Sequence, residues 1–274
     1  MYSEELTDIL ELQGIEEARV NKWDYYNYNN SGVPRVTNII SQCRDSEWLI
    51  KWAANIGRRK YDMYSEKALD IGTIVHELID CYLMDKFNNT SASGLEIHFE
   101  QIRDDYRSSI WNALENFKLW DKKMNDMGYP IQKLIGIEIP ISCPWFGGTV
   151  DGIVTINGAN YLIDFKTSKK ISSEYLVQVS AYMWLINNGY APELPHIDGI
   201  GLVRVDKAKY GSYEELFLND FDPIHHNMIQ SYQDCFMSYL SAYYRTINID
   251  YITDKYKSEY NSLNVFYDKS KEAA

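Results

Sequence analysis

The sequence lacks the features that define several protein classes. It has no run of about 18 uninterrupted apolar residues, so we expect no membrane-spanning helix. Its start, MYSEELTDILEL, is acidic, whereas a secretory or mitochondrial targeting segment would be basic. It also has no internal repeat and no low-complexity linker, which favours one structural domain over two. We therefore expect a folded, cytoplasmic protein.

Cysteine is scarce, and its placement excludes common frameworks. The four cysteines are widely separated: Cys43, Cys81, Cys143 and Cys235. Because there is no C-x-x-C pair and no histidine at zinc-ligand spacing, we predict neither a disulfide framework nor a structural zinc site, and expect reduced, mostly buried thiols. A G-x-x-x-x-G-K-[ST] run is also missing, which argues against a built-in ATP motor.

Positive charge is in short supply as well. The net charge of -12 argues, taken alone, against a protein that coats nucleic acid, because lysine and arginine must neutralise the phosphates. Local basic groups do occur, at Arg58–Lys60, at Lys166 with Lys169 and Lys170, and at Arg204 with Lys207 and Lys209. A bound cation can also offset clustered carboxylates. The composition therefore leaves the partner open.

Hydrophobic spacing predicts an α/β fold with a helical N-terminal part. Helices are expected over 3–20, over 45–87 with breaks near Gly57 and Gly72, and over 96–127, whereas 33–40 changes from extended to helical. After Pro130 the pattern predicts a three-strand meander, then a helix over 173–188, strands over 197–206 and 213–218, and a helix over 223–245. The expected organisation is a helical part over 1–130, a core sheet with helices over 131–246 and a polar tail over 247–274.

The stretch 147–182 contains the residues that point to chemistry. On the strand YLIDFKT, Asp164 and Lys166 are two residues apart, so both point to one face while Phe165 points to the other. A hairpin through NGAN brings Asp151 alongside, and both aspartates can then ligate one hard cation. With a neighbouring lysine, such a site suits phosphodiester hydrolysis.

An ordinary ion pair on a solvated strand face is the alternative interpretation of Asp164 and Lys166. For an isolated D-x-K pair it would be the favoured one. The apolar residues around the pair indicate a strand covered on both faces, where unpaired charges are costly: Tyr161, Leu162, Ile163 and Phe165. This favours a functional site.

Four motifs resemble those of the PD-(D/E)xK nuclease superfamily, and within it the RecB-like branch that includes phage exonucleases and mitochondrial genome maintenance exonucleases. They occur in the order typical of that branch: GTIVH (Gly72–His76), GTVD (Gly148–Asp151), DFKT (Asp164–Thr167) and QVSAY (Gln178–Tyr182). Each motif is weak alone, but four in order are a strong signal. The resemblance covers roughly residues 33–205. It implies a restriction-endonuclease-like core, a central mixed β-sheet flanked by helices.

The resemblance also implies roles for individual residues. Asp151 and Asp164 would bind Mg²⁺ or Mn²⁺ together with the backbone carbonyl of Phe165, and Lys166 would be the catalytic lysine. His76 would be a further ligand or hold a water on the metal side; a buried helix histidine is the alternative.

Further roles implied by the resemblance concern the surroundings of the metal. Glu138 would share a strand face with Gly136 and Pro140 and reach the metal or its waters, an assignment left open. Gln178, Tyr182 and Thr167 would contact phosphate or support the site from behind, although packing would equally explain the first two.

The expected function is a metal-dependent DNA exonuclease acting on single-stranded ends in replication, recombination or DNA degradation. No iron-sulfur cluster is expected, because Cys235 is the one cysteine in the C-terminal third and related nucleases need three there. The enzyme would work alone or with a separate helicase, in a bacterial or phage-infected host cytoplasm.

Aromatic residues over 23–28, with Trp48 and Trp52, could stack on bases, although core packing is simpler for the two tryptophans. A DNA endonuclease and a non-catalytic nucleic-acid-binding protein are the alternatives.

Overall fold

The structure is a computed structural model, and it describes residues 25–28, 31–43, 47–87 and 102–263. The helix predicted over 3–20 lies outside these residues, as does the first part of the helix predicted over 96–127. The elements in chain order are β1 (Tyr25–Tyr28), β2 (Ser31–Pro34), α1 (Val36–Cys43), α2 (Glu47–Ile56), α3 (Arg58–Lys86), α4 (Asp104–Asp126), β3 (Ile131–Ser142), β4 (Gly147–Ile156), β5 (Ala159–Lys166), α5 (Ser173–Leu185), β6 (Gly199–Val205), β7 (Tyr213–Asn219) and α6 (Pro223–Leu263).

A five-stranded mixed sheet forms the centre of the fold. Its strand order is β3-β4-β5-β6-β7, and all neighbours are antiparallel except β5 and β6, which are parallel. A parallel pair requires a crossover, and α5 provides it between these two strands. The predicted meander and the predicted α/β class with a central mixed sheet flanked by helices are both confirmed.

Helices cover both faces of the sheet and create two apolar clusters. One cluster contains buried residues of α1, α5 and α6, and the other contains buried residues of α3 and α4. Strand β5 contributes to both, because Leu162 lies in the first cluster while Ile163 and Phe165 lie in the second. The sheet is therefore buried on both faces, which explains the near-continuous apolar sequence of its central strands.

Two predicted boundaries are wrong, each for a local reason. Helix α3 continues through Gly72, where a break was predicted, because burial of neighbouring Ile71 and Val75 outweighs a glycine cost of about 1 kcal/mol. The break at Gly57 is confirmed. Helix α6 continues to Leu263 rather than ending near residue 245, because no glycine or proline follows Pro223 in this stretch. The predicted polar tail is therefore helical over its first half.

Part of the aromatic segment over 23–28 forms a strand in the structure. Residues 25–28 form β1, which pairs with β2. The ring of Tyr26 packs where a side chain at Gly147 would lie. The absence of a Cβ at Gly147 therefore lets the hairpin of β1 and β2 pack against β4. Tyrosine also favours strands.

The cysteines agree with the predicted state of their thiols only in part. All four cysteines are free, but Cys143 alone is buried, so the expectation of mostly buried thiols is wrong for the other three. None of the helices within the described ranges has an apolar stretch of the length that a membrane crossing needs.

Candidate metal centre

The register of β4 and β5 brings Asp151 and Asp164 together. Gly152 pairs with Ile163, so the next residues along the two strands, Asp151 and Asp164, follow opposite each other on one face. The backbone amide of Phe165 donates a 2.8 Å hydrogen bond to Asp151 Oδ2. A side-chain oxygen thus continues the strand pairing and fixes the position of the carboxylate.

Asp164 and Lys166 form a buried ion pair. Lys166 Nζ donates a 2.8 Å hydrogen bond to Asp164 Oδ1 and lies 2.6 Å from Oδ2. The second contact lacks hydrogen-bond geometry, so Oδ2 is a buried acceptor without a hydrogen-bond partner. The ammonium also lies 5.0 Å from the centre of the Tyr175 ring. The pair is therefore not on a solvated face: Asp164 is 2% exposed.

His76 reaches the same place from α3. Its Nδ1 lies 3.5 Å from Asp151 Oδ2, and its ring meets Phe165 edge-on at 6.3 Å. Gly72 lies one turn earlier, and this turn of the helix is close to the end of β5, since a Cβ at Gly72 would lie at an ordinary contact distance of 3.6 Å from Thr167 Oγ1. Burial and the Lys166 charge lower the pKa of His76, although Asp164 and the Phe165 backbone raise it. The imidazole is thus neutral at pH 7, the form that binds metals.

Glu138 completes a compact group with His76 and Asp151. One potential ligand atom from each of the three residues lies within 4.8 Å of the other two. Strand alternation predicts that Glu138 shares a face with Gly136, but the strand has a register irregularity between Leu134 and Gly136, and Glu138 itself has φ 48°. A left-handed conformation is uncommon for a residue with a side chain and points to a functional constraint.

The carboxylates of this centre carry more negative charge than the protein neutralises. Burial raises the pKa of Asp151 to about 6 and that of Asp164 to about 6, while Lys166 opposes both shifts. Burial also lowers the pKa of Lys166, but Asp164 and Asp151 raise it by more, so the ammonium stays charged. Partial burial, followed by the charges of Asp164 and Glu77, raises the pKa of Glu138. Oxygen ligands with excess negative charge suit a hard divalent cation.

Three of the predicted site residues, Asp164, Gln178 and Tyr182, lie outside the compact group of His76, Glu138 and Asp151. The oxygens of Asp164 lie outside the 4.8 Å group, because Lys166 holds them. Gln178 and Tyr182 are buried, and Gln178 Nε2 donates a 3.4 Å hydrogen bond to the Tyr182 hydroxyl. The Tyr182 ring fills the space where a side chain at Gly148 would lie. The hydrogen-bonded pair of Gln178 and Tyr182 therefore packs against β4 at this glycine.

The local basic groups noted in the sequence, and the aromatic residues proposed to stack on bases, are only partly exposed within the described residues. Arg204 is 7% exposed, and its guanidinium bonds to Glu214, Asp206 and the Ser168 carbonyl, so it stabilises the fold. Lys169 and Lys170 are exposed beside the site, and Arg58–Lys60 are exposed at the start of α3. Trp23 and the side chains of Trp48 and Trp52 lie outside the described residues.

Two residues near the centre were not predicted from the sequence. Asp80, one helical turn after His76, is 5% exposed, and its Oδ1 has no hydrogen-bond partner. The spacing of four on α3 was the available signal. Tyr26 forms a hydroxyl-to-hydroxyl hydrogen bond with Thr149, two residues before Asp151. Nothing in the local sequence of β1 indicates this contact, because it joins segments far apart in the chain.

Comparisons with known proteins add little. No protein-family model and no curated protein matches this chain. A solved structure described as "Crystal structure of SSO0001" is similar at 14% identity, with a TM-score of 0.23, and the match covers 66% of this chain and 86% of that chain. A TM-score this low does not establish a common fold.

Two glycine substitutions test whether the motif glycines make room for the site. Gly148→Ala would place a methyl group inside the ring of buried Tyr182, so we expect a loss of about 1–3 kcal/mol in the free energy of unfolding. Gly72→Ala meets only an ordinary contact and should raise the free energy of unfolding by up to about 1 kcal/mol, because alanine favours helix. Urea denaturation measures both, and equal stability of the two variants would contradict this packing.

Proposed function

We propose that this protein is a metal-dependent nuclease that hydrolyses DNA phosphodiester bonds, acting as an exonuclease on single-stranded ends. The observation that carries the proposal is the meeting of five polar residues: Asp151, Asp164, Lys166, His76 and Glu138. Four of them lie on three consecutive strands, and His76 comes from a helix far earlier in the sequence. The order and content of the four motifs, which resemble the RecB-like nucleases, support the same function.

The residues present fit Mg²⁺ or Mn²⁺. Asp151, His76 and Glu138 offer two carboxylates and a neutral imidazole, and Asp164 offers a buried oxygen that lacks a hydrogen bond. The backbone carbonyl of Phe165 would be a further ligand. The carboxylate and carbonyl oxygens match these two cations, and a bound cation would supply Lewis acidity towards a phosphoryl oxygen and a lower pKa for a water.

Lys166 acts as a fixed positive charge in this proposal. Its raised pKa keeps it protonated near neutral pH, so it is not the group that accepts a proton from water. Instead the ammonium donates hydrogen bonds to the phosphoryl oxygen on which negative charge develops. Asp164 fixes the direction of the lysine side chain through the 2.8 Å hydrogen bond. Lys169 and Lys170, which are exposed and follow Lys166 closely in the sequence, would bind the phosphates that flank the cleaved bond.

Cleavage assays on linear and circular single-stranded DNA test the proposed function. With Mg²⁺ or Mn²⁺ we expect end-labelled linear strands to be degraded and circular strands to be spared, and we expect chelator to stop the reaction. Cleavage of circles would show an endonuclease. If no DNA is lost with either metal, the alternative of a binding protein with a nuclease fold is correct.

A comparison of two lysines separates a catalytic role for Lys166 from a structural one. Lys166→Met should lower the cleavage rate per folded molecule by about 10²- to 10³-fold, because it removes a charge that stabilises the transition state. Lys122→Met, which changes an exposed lysine on α4 that has no role in the proposal, should leave the rate unchanged.

Stability must be controlled in this comparison, because Lys166→Met leaves Asp164 buried without its partner. Replacing both members, Lys166→Met with Asp164→Asn, should restore the thermal midpoint but not cleavage. Recovery of cleavage in the double variant would contradict the roles proposed for both Lys166 and Asp164.

A further inference from the structure

The outer face of α4 presents a large aromatic side chain to solvent beside an open pocket. Trp111 is 59% exposed, although tryptophan is mostly buried in folded proteins. A pocket of about 390 Å³ lies next to it, and its walls are mainly apolar, with Leu78 from α3 and Ile110, Trp111 and Leu114 from α4. Exposed apolar surface that adjoins a pocket is typical of an interaction site.

The charged residues of this face are arranged symmetrically about Trp111, with opposite signs. Asp104 and Lys118 lie seven residues before and after it, and Arg107 and Glu115 lie four residues before and after it. Because these offsets are close to whole turns of a helix, the five residues share one face. Along the helix this face therefore reads negative, positive, aromatic, negative, positive.

The charges on each side of Trp111 already form an ion pair within the helix. Arg107 Nε lies 3.3 Å from Asp104 Oδ1, and Lys118 Nζ lies 2.9 Å from Glu115 Oε1. Lys118 Nζ also lies 5.7 Å from the centre of the Trp111 ring. Each end of the face is thus electrically balanced, so a second helix can approach it without burying an unpaired charge.

A second copy of the same face is the partner that matches this pattern. In an antiparallel pairing centred on Trp111, Asp104 of each helix lies at the level of Lys118 of the other, and Arg107 lies at the level of Glu115. Every charge then meets an opposite charge at its own level, whereas a parallel pairing in register would bring like charges together. The two Trp111 side chains meet at the centre, beside the two pockets.

We propose that this chain forms a homodimer through the outer face of α4, with a twofold axis at Trp111 and the indole of each copy in the pocket of the other. A contact that pairs the same surface of both copies closes on itself, so association stops at two chains. One helix and one pocket per chain form a small interface, so the dimer should dissociate on dilution. The dimer is independent of metal binding and of cleavage.

Mixing two charge-reversed variants tests the pairing by sedimentation velocity. Wild type should change from monomer to dimer as its concentration rises. Asp104→Lys and Lys118→Asp should each stay monomeric at concentrations where wild type is dimeric, because each places like charges at the same level. An equimolar mixture of the two variants should dimerise again, because it restores opposite charges at both levels.

Two further variants control for effects unrelated to the pairing. Asp126→Lys reverses an exposed aspartate on the same helix, about 22 Å along the axis from Trp111, and should dimerise as wild type does. Trp111→Ala should lose the dimer, because it removes the side chain that fills the pocket. Far-UV circular dichroism checks that each variant is folded.

The outcomes that would overturn the proposal are distinct. Wild type that stays monomeric at every concentration would overturn it, and a lower thermal midpoint for Trp111→Ala in that case would place a segment of the same chain in the pocket. A dimer that survives Trp111→Ala would mean that another surface forms it. A mixture of the two charge-reversed variants that stays monomeric would overturn the antiparallel arrangement.

Discussion

The hydrogen bond from the Phe165 amide to Asp151 Oδ2 joins two strands at the point where their register places Asp151 opposite Asp164. Two carboxylates that repel each other are thereby held on one strand face, in a position where burial raises the pKa of both. The other groups of the centre reduce this repulsion. Lys166 neutralises part of the charge, and the group formed with His76 and Glu138 offers ligands for a cation to neutralise more.

The four sequence motifs contact one another in pairs, and the contact requires a glycine at Gly148 but not at Gly72. Gly148 of the second motif makes room for Tyr182 of the fourth, and Gly72 of the first lies against Thr167 of the third. The site is thus built on elements packed against both faces of the sheet. Buried carboxylates need such support, because a looser surrounding would move to admit water and separate the charges.

Short-range patterns predicted the strand part of the centre well. A period of two placed Asp164 and Lys166 on one face, and the NGAN turn placed Asp151 beside them. Long-range and irregular features were harder. His76 and Asp151 are 75 residues apart in the sequence, and the prediction that they meet rested on the resemblance alone. Strand alternation could not predict where the Glu138 side chain points, because Glu138 itself has a left-handed backbone conformation. Asp80 was missed because an aspartate on an amphipathic helix ordinarily faces solvent.

The central claim is that a divalent cation binds beside Asp151, and anomalous diffraction tests it most directly. Crystals soaked in Mn²⁺ should show an anomalous difference peak bounded by Asp151, His76 and the end of β5, and the peak should be absent after soaking in chelator. Occupied Mn²⁺ sites elsewhere on the molecule, with no peak at this position, would contradict the account.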